Sequence, residues 1–122
     1  MQKLNVLLVE DNDDARSMYA YMLAAASYHV RAVSNGLEAL AEIQLDRPDV
    51  VVTDIAMPVL SGLELIVAVR ADNTLSDLPV VAITSFGEAM REQARAAGAN
   101  QSIDKPTNLE TIRDVIEAAV YR

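Results

Sequence analysis

Four segments with the apolar character of β-strands each run into a polar side chain that phosphate chemistry can use. Leu4 to Val9 leads to Glu10 and Asp11, and Asp49 to Thr53 leads to Asp54. Pro79 to Ile83 is followed by Thr84, and the short Ser102 to Asp104 by Lys105. Parallel strands of an open α/β sheet bind ligands outside their carboxyl ends, so one fold would gather three carboxylates, a hydroxyl and an ammonium. Two unit charges about 4 Å apart repel by roughly 4 kcal/mol at an effective dielectric near 20. Glu10, Asp11 and Asp54 together therefore call for a cation or for protons. Carboxylates with carbonyl and water oxygens suit Mg²⁺, which takes phosphate readily as a further ligand. A carboxylate can also act as a nucleophile and form an aspartyl phosphate. Lys105 would neutralise a phosphoryl oxygen as a point charge, and Thr84 would donate to another.

The segments between these strand ends must carry the site. Leu4 to Val9 is almost continuously apolar, as a strand buried on both faces requires. Ala15, Met18, Tyr19, Met22, Leu23 and Ala26 fall on one helical stripe, with the methionines expected in the core. His29 to Val33 reads as a weaker strand. Asn35 with Glu38 three residues on resembles a helix cap ahead of Ala39, Leu40 and Ile43. Val50 to Val52 form the β-branched centre of a third strand. A loop from Met57 to Gly62 then leads to a helix with Leu65, Ile66 and Val69 inward. Pro79 suits a strand start because it cannot donate to a ladder. A helix from about Glu88 to Ala97 stops at Gly98. Thr107 and Glu110 are spaced as a capping box before Leu109, Ile112, Ile116 and Val120. Five β-α units with right-handed crossovers imply a doubly wound, five-stranded parallel sheet, and the flavodoxin-like order 2-1-3-4-5 is the expected one.

The bulk composition narrows the function classes. A chain of 122 residues, 52% apolar, is one domain with a hydrophobic core, here taken as 1–122. Its formal charge of -8 argues against direct nucleic-acid binding and against an anionic membrane surface. With no cysteine, disulfides and thiolate metal sites are excluded. No apolar run approaches a membrane span and no signal-peptide layout opens the chain, so a soluble, cytoplasmic protein is expected. His29, the lone histidine, reads as structural, and the four tyrosines are too scattered for a stacking surface. No Walker-type or dinucleotide fingerprint occurs.

From end to end the chain resembles the receiver domain of two-component response regulators. The likeness rests on Glu10-Asp11, on Asp54 with Met57-Pro58 and Gly62 behind it, and on Thr84, Gly98-Ala99 and Lys105-Pro106, in order. It implies that Asp54 accepts a phosphoryl group from a histidine-kinase phosphohistidine, a phosphotransfer protein or a small phosphodonor. It further implies that Glu10, Asp11, Asp54 and the backbone carbonyl of Ala56 hold Mg²⁺. Thr84 and Lys105 would contact the phosphoryl group, and the Lys105-Pro106 bond would be cis. The chain would be no enzyme beyond its own aspartyl phosphorylation and dephosphorylation. Output would pass through the fourth helix, fifth strand and fifth helix, about Glu88 to Tyr121, to an effector protein or domain, or through a phosphorylation-dependent homodimer. The ending near Tyr121-Arg122 suits either a stand-alone regulator or a segment of a longer one.

Departures from the family pattern carry expectations of their own. Ser102 stands where an aromatic usually precedes the lysine by three residues, so a ring that swings in behind Thr84 is missing. Ala56 and Phe86, two residues beyond Asp54 and Thr84, cannot orient an attacking water, which implies slow self-dephosphorylation. Asp104 is a candidate partner for the neighbouring Lys105. Two other functions fit parts of the pattern. A phosphotransferase with an aspartyl nucleophile would need a second acid after Asp54, where Ile55 and Ala56 stand. A pseudo-receiver acting as a binding module would not bind Mg²⁺.

Overall fold

A computed structural model describes residues 3–105 and 107–121 of the chain. The strands are β1 (Asn5–Val9), β2 (His29–Val33), β3 (Val50–Asp54), β4 (Val80–Thr84) and β5 (Gln101–Asp104). The helices are α1 (Asp13–Ala25), α2 (Gly36–Leu45), α3 (Gly62–Ala71), α4 (Glu88–Ala97) and α5 (Leu109–Tyr121), with a 3₁₀ turn over Asn73–Leu75. All strand pairs are parallel, in the order β2-β1-β3-β4-β5. This is the doubly wound, flavodoxin-like order expected from the sequence. No described helix is long and apolar enough to cross a membrane.

Two apolar clusters sandwich the sheet because successive strand residues point to opposite faces. Leu7, Val9, Val51, Val80 and Ala82 pack with Ala39, Ile43, Leu65, Ile66, Val69 and Ala94 from α2, α3 and α4. Val6, Leu8, Val50, Val52, Val81 and Ile83 pack with Tyr19, Leu23, Ile112 and Ile116 from α1 and α5. β3 and β4 are buried at every position, as central parallel strands covered on both sides must be. β2, an edge strand, holds exposed and half-buried residues only, which accounts for its weaker apolar signal.

Helix starts follow from short polar side chains that take up free backbone N–H groups. Asn12, Asn35 and Ser61 accept from Ala15, Glu38 and Glu64 respectively, and Ser61 with Glu64 completes a capping box. The box expected of Thr107 and Glu110 is not the cap of α5. Asn108 Oδ1 accepts the Thr111 N–H at 2.8 Å instead, one residue later in register. Gly98, with φ +124°, ends α4 where a side chain would be strained. Met18 is 48% exposed although its spacing suggests core. The buried stripe of α1 is narrow and passes through Tyr19 and Leu23. Pro106 lies outside the described residues, and with it the expected cis bond.

Arg70, near the end of α3, ties the far corner of the sheet together. Its guanidinium donates to the carbonyls of Gly98, at 2.9 Å, and Leu78, at 2.8 Å, and to Asn100 Oδ1 at 2.9 Å. Asn100 Oδ1 in turn accepts the Val80 N–H at 2.8 Å, so α3, β4 and the α4–β5 connection share one network.

Candidate functional site

The register sets the carboxyl ends of β1, β3, β4 and β5 side by side. Val9 lies beside Thr53, Asp54 beside Ile83, and Thr84 beside Asp104. Each strand therefore delivers its polar successor to the same edge. One carboxylate oxygen from each of Glu10, Asp11 and Asp54 lies within 4.8 Å of the others. Glu10 and Thr84 are buried, Asp54 is 9% exposed, and Asp11 faces solvent. Three hard oxygen donors from the loop after β1 and the end of β3, one of them open to water, fit a divalent cation that keeps several waters, such as Mg²⁺.

Local bonds aim each group. Asp54 Oδ1 accepts the Ile55 N–H at 2.8 Å, which fixes the carboxylate and leaves Oδ2 as the outward oxygen. Glu10 Oε2 accepts the Asn12 N–H at 3.1 Å, and Arg16 donates to the Glu10 carbonyl at 3.0 Å, holding the loop that carries the acidic pair. Thr84 Oγ1 accepts the Phe86 N–H at 3.0 Å, so its own proton remains for an acceptor. The Lys105 N–H donates to the Thr84 carbonyl at 2.8 Å and fixes the lysine's place beside β4. Gly62 is required by closeness rather than by φ. Its N–H donates to the Ile55 carbonyl at 2.8 Å, and a Cβ there would stand 2.1 Å from the Asp54 carbonyl oxygen.

Lys105 is the cation of this cluster. Its Nζ bonds Glu10 Oε1 and lies 3.3 Å from Asp54 Oδ2. Burial lowers its pKa, but Glu10 and Asp54 more than offset this and hold the ammonium above its ordinary value. The expected pairing with Asp104 does not form. Asp104 faces α4 and pairs with Arg91, because neighbouring residues of an extended strand point apart.

Sequence reasoning missed Tyr19. It is 3% exposed, and the Lys105 ammonium lies 5.9 Å from its ring centroid. Burial pushes its phenol up, although the Lys105 ammonium and the Thr107 backbone pull the other way, so the ring stays neutral. Its position eight residues after Asp11, on the stripe shared with Ala15 and Leu23, was the available signal. Ser102 lies beside Ala82, and its buried Oγ has no hydrogen-bond partner among the described residues. Ala56 is exposed at the start of the β3–α3 loop, and Phe86 is 62% exposed. His29 is exposed at the opposite, amino end of the sheet.

A family model for the response regulator receiver domain matches residues 6–117. The chain belongs to that family. The receiver domain is 32% identical over 115 residues to the polar-differentiation response regulator DivK of Brucella anthropi, covering 93% of this chain and 94% of that one. The chemotaxis protein CheY4 of Vibrio cholerae superposes with a TM-score of 0.89 at 32% identity, over 97% of this chain and 99% of that one. The receiver domain of a sensor histidine kinase from Pseudomonas aeruginosa, solved with magnesium in its active-site cleft, superposes at 0.91. It is 26% identical, over 99% of this chain and 100% of that one. Receiver domains are modules of two-component signalling, and this chain is one.

Proposed function

We propose that Asp54 takes a phosphoryl group from the phosphohistidine of a histidine kinase or phosphotransfer protein, in the cytoplasm, with Mg²⁺ at Glu10, Asp11, Asp54 and the Ala56 backbone carbonyl. The observation that carries this reading is the meeting of three carboxylate oxygens within 4.8 Å beside a lysine and a buried threonine. The magnesium in the cleft of the Pseudomonas relative supports the choice of ion. The whole chain, 1–122, acts as one receiver unit.

The reaction makes one bond and breaks one. Asp54 Oδ2, the carboxylate oxygen not held by the Ile55 N–H, forms the new O–P bond while the P–N bond to the donor imidazole breaks. The imidazole takes back the P–N electron pair and leaves as the neutral ring, keeping the proton that its other nitrogen carried in the phosphohistidine. Bound Mg²⁺ would offset the charge on the phosphoryl oxygens. Lys105 leaves its carboxylate partners for one of these oxygens, and Thr84 turns its free proton to another. The chain's only catalysis is thus on its own Asp54.

The output follows from what is joined to Thr84 and Lys105. The Lys105 N–H is bonded to the Thr84 carbonyl, and Asp104, next to Lys105, is clasped to Arg91 on α4. An inward move of both groups therefore pulls on α4 and β5 through backbone and an ion pair, with Ser102 in place of a swinging ring. An effector protein or a second copy of the domain reads the α4-β5-α5 surface. Intact-mass analysis after incubation with acetyl phosphate tests the chemistry. The expected result is one Mg²⁺-dependent phosphoryl adduct that Asp54→Asn abolishes; an adduct that survives Asp54→Asn places the acceptor elsewhere.

A further inference from the structure

We propose that Tyr19 is a positioning residue for Lys105, its ring keeping the ammonium at the site while the carboxylates beneath it change partners. This rests on the reading of Asp54 as phosphoacceptor. In the resting arrangement Lys105 is held by Glu10 and Asp54, the same carboxylates that a divalent cation would engage. A lysine stripped of both partners regains its rotamer freedom and is then poorly placed to meet a phosphoryl oxygen. A partner is needed that neither binds metal nor competes for the ammonium's hydrogens.

Tyr19 answers that description. Its ring lies within the distance at which an aromatic attracts a cation, with 5.9 Å from Nζ to centroid. The ring is itself immobilised, in one core cluster with Leu23, Ile83 and Ile112. It is neutral, so it holds the ammonium by its quadrupole without cancelling the charge. It also stands on α1, the helix that follows directly from the Glu10-Asp11 pair, and so couples the acidic loop to the end of β5. A tyrosine that merely filled core volume would do none of this through Lys105, and the two roles separate experimentally.

The chain has two lysines, Lys3 and Lys105, so ¹³C-lysine labelling gives two side-chain signals, with Lys105 assigned by its loss in Lys105→Met. The methylene next to Nζ of Lys105 is expected to be displaced by the ring current from its Lys3 counterpart, with and without saturating Mg²⁺. The displacement is retained in Tyr19→Phe and lost in Tyr19→Leu. With acetyl phosphate and saturating Mg²⁺, Tyr19→Leu should slow phosphorylation about fivefold, and Tyr19→Phe should restore it. In the Lys105→Met background Tyr19→Leu should add nothing. A Lys105 signal that coincides with that of Lys3 in the Mg²⁺-loaded wild type overturns the proposal. So does equal slowing by Tyr19→Leu in both backgrounds. If the wild type takes no phosphoryl group from any donor, the acceptor reading fails, while the lysine signals still decide the contact.

Discussion

Replacing Lys105 by methionine should weaken the fold when Mg²⁺ is absent and tighten its binding of Mg²⁺. Methionine keeps most of the apolar stem and removes the ammonium. Carboxylate oxygens at the 4.8 Å limit of the cluster repel by about 3.5 kcal/mol per pair at an effective dielectric near 20, so three acids carry roughly 10 kcal/mol of mutual repulsion. On the same scale the 3.3 Å contact of Lys105 with Asp54 returns about 5 kcal/mol, and its closer contact with Glu10 at least as much. One ammonium thus roughly balances three carboxylates. Relaxation and water absorb much of such an imbalance, and breaking a mostly buried pair costs about 3 kcal/mol in practice. The melting temperature without Mg²⁺ should therefore fall by roughly 10 °C. Mg²⁺ replaces the missing charge, so saturating Mg²⁺ should recover most of that loss and its Kd should fall about tenfold, worth roughly 1.4 kcal/mol. The pH dependence has a definite sign. Because the folded-state pKa of Lys105 is raised above 10.5, the advantage of the wild type is fully present below that value. It disappears as pH rises through the folded pKa. Thermal melts over a Mg²⁺ series, with calorimetric titration, read both quantities. Unchanged melting without Mg²⁺, or weaker Mg²⁺ binding by the variant, would refute the charge balance.

Gly62→Ala should cost about 3 kcal/mol by denaturant titration and slow phosphorylation at least about tenfold, because its Cβ would meet the Asp54 carbonyl oxygen at 2.1 Å. Gly87→Ala, with open space but φ +82° and ψ -168°, a region nearly reserved for glycine, should cost about 2 kcal/mol through backbone strain and slow phosphorylation less than Gly62→Ala; equal slowing would mean that the close approach at Gly62 is unimportant. Arg70→Ala should cost about 3 kcal/mol by leaving the Gly98 and Leu78 carbonyls without their guanidinium donor, with acetyl-phosphate labelling of Asp54 retained once folded. Loss of labelling in a folded Arg70→Ala protein would show that the corner acts on the site. The aspartyl phosphate should decay slowly, and Phe86→Glu, which offers a carboxylate to orient water, should speed decay by roughly an order of magnitude. A rapid decay that the substitution leaves unchanged would contradict the assigned roles of Ala56 and Phe86.

How much of this was legible in the sequence follows from the range of each interaction. Apolar runs and helical stripes placed all five strands and all five helices to within a residue or two. Both signals are local, and parallel strands buried on two faces leave little choice of period. The meeting of Glu10, Asp11, Asp54, Thr84 and Lys105 was legible too, because it needs only strand ends and the rule that parallel sheets collect ligands there. Errors arose where a neighbour in sequence was weighed against a partner in space. Thr107 has the spacing of a cap, but the first turn of α5 selects Asn108. Met18 fits an apolar stripe, but α1 meets the sheet through buried Tyr19 and Leu23 with Ala15, Ala20 and Met22 half-buried beside them, and Met18 falls outside that face.

The partner of Lys105 is the clearest case. Asp104 is adjacent and acidic, and Glu10 is ninety-five residues away, yet the ion pair forms with Glu10. Alternation along β5 turns Asp104 toward Arg91 on α4, and the parallel order sets the carboxyl ends of β1, β3, β4 and β5 along one edge, where Lys105 reaches past Asp54 to the first acidic loop. Topology, not proximity in sequence, therefore decides which carboxylate the lysine neutralises. On the proposed reading, a metal at Glu10 and Asp54 would take over the carboxylates that hold Lys105 and leave its ammonium for a phosphoryl oxygen.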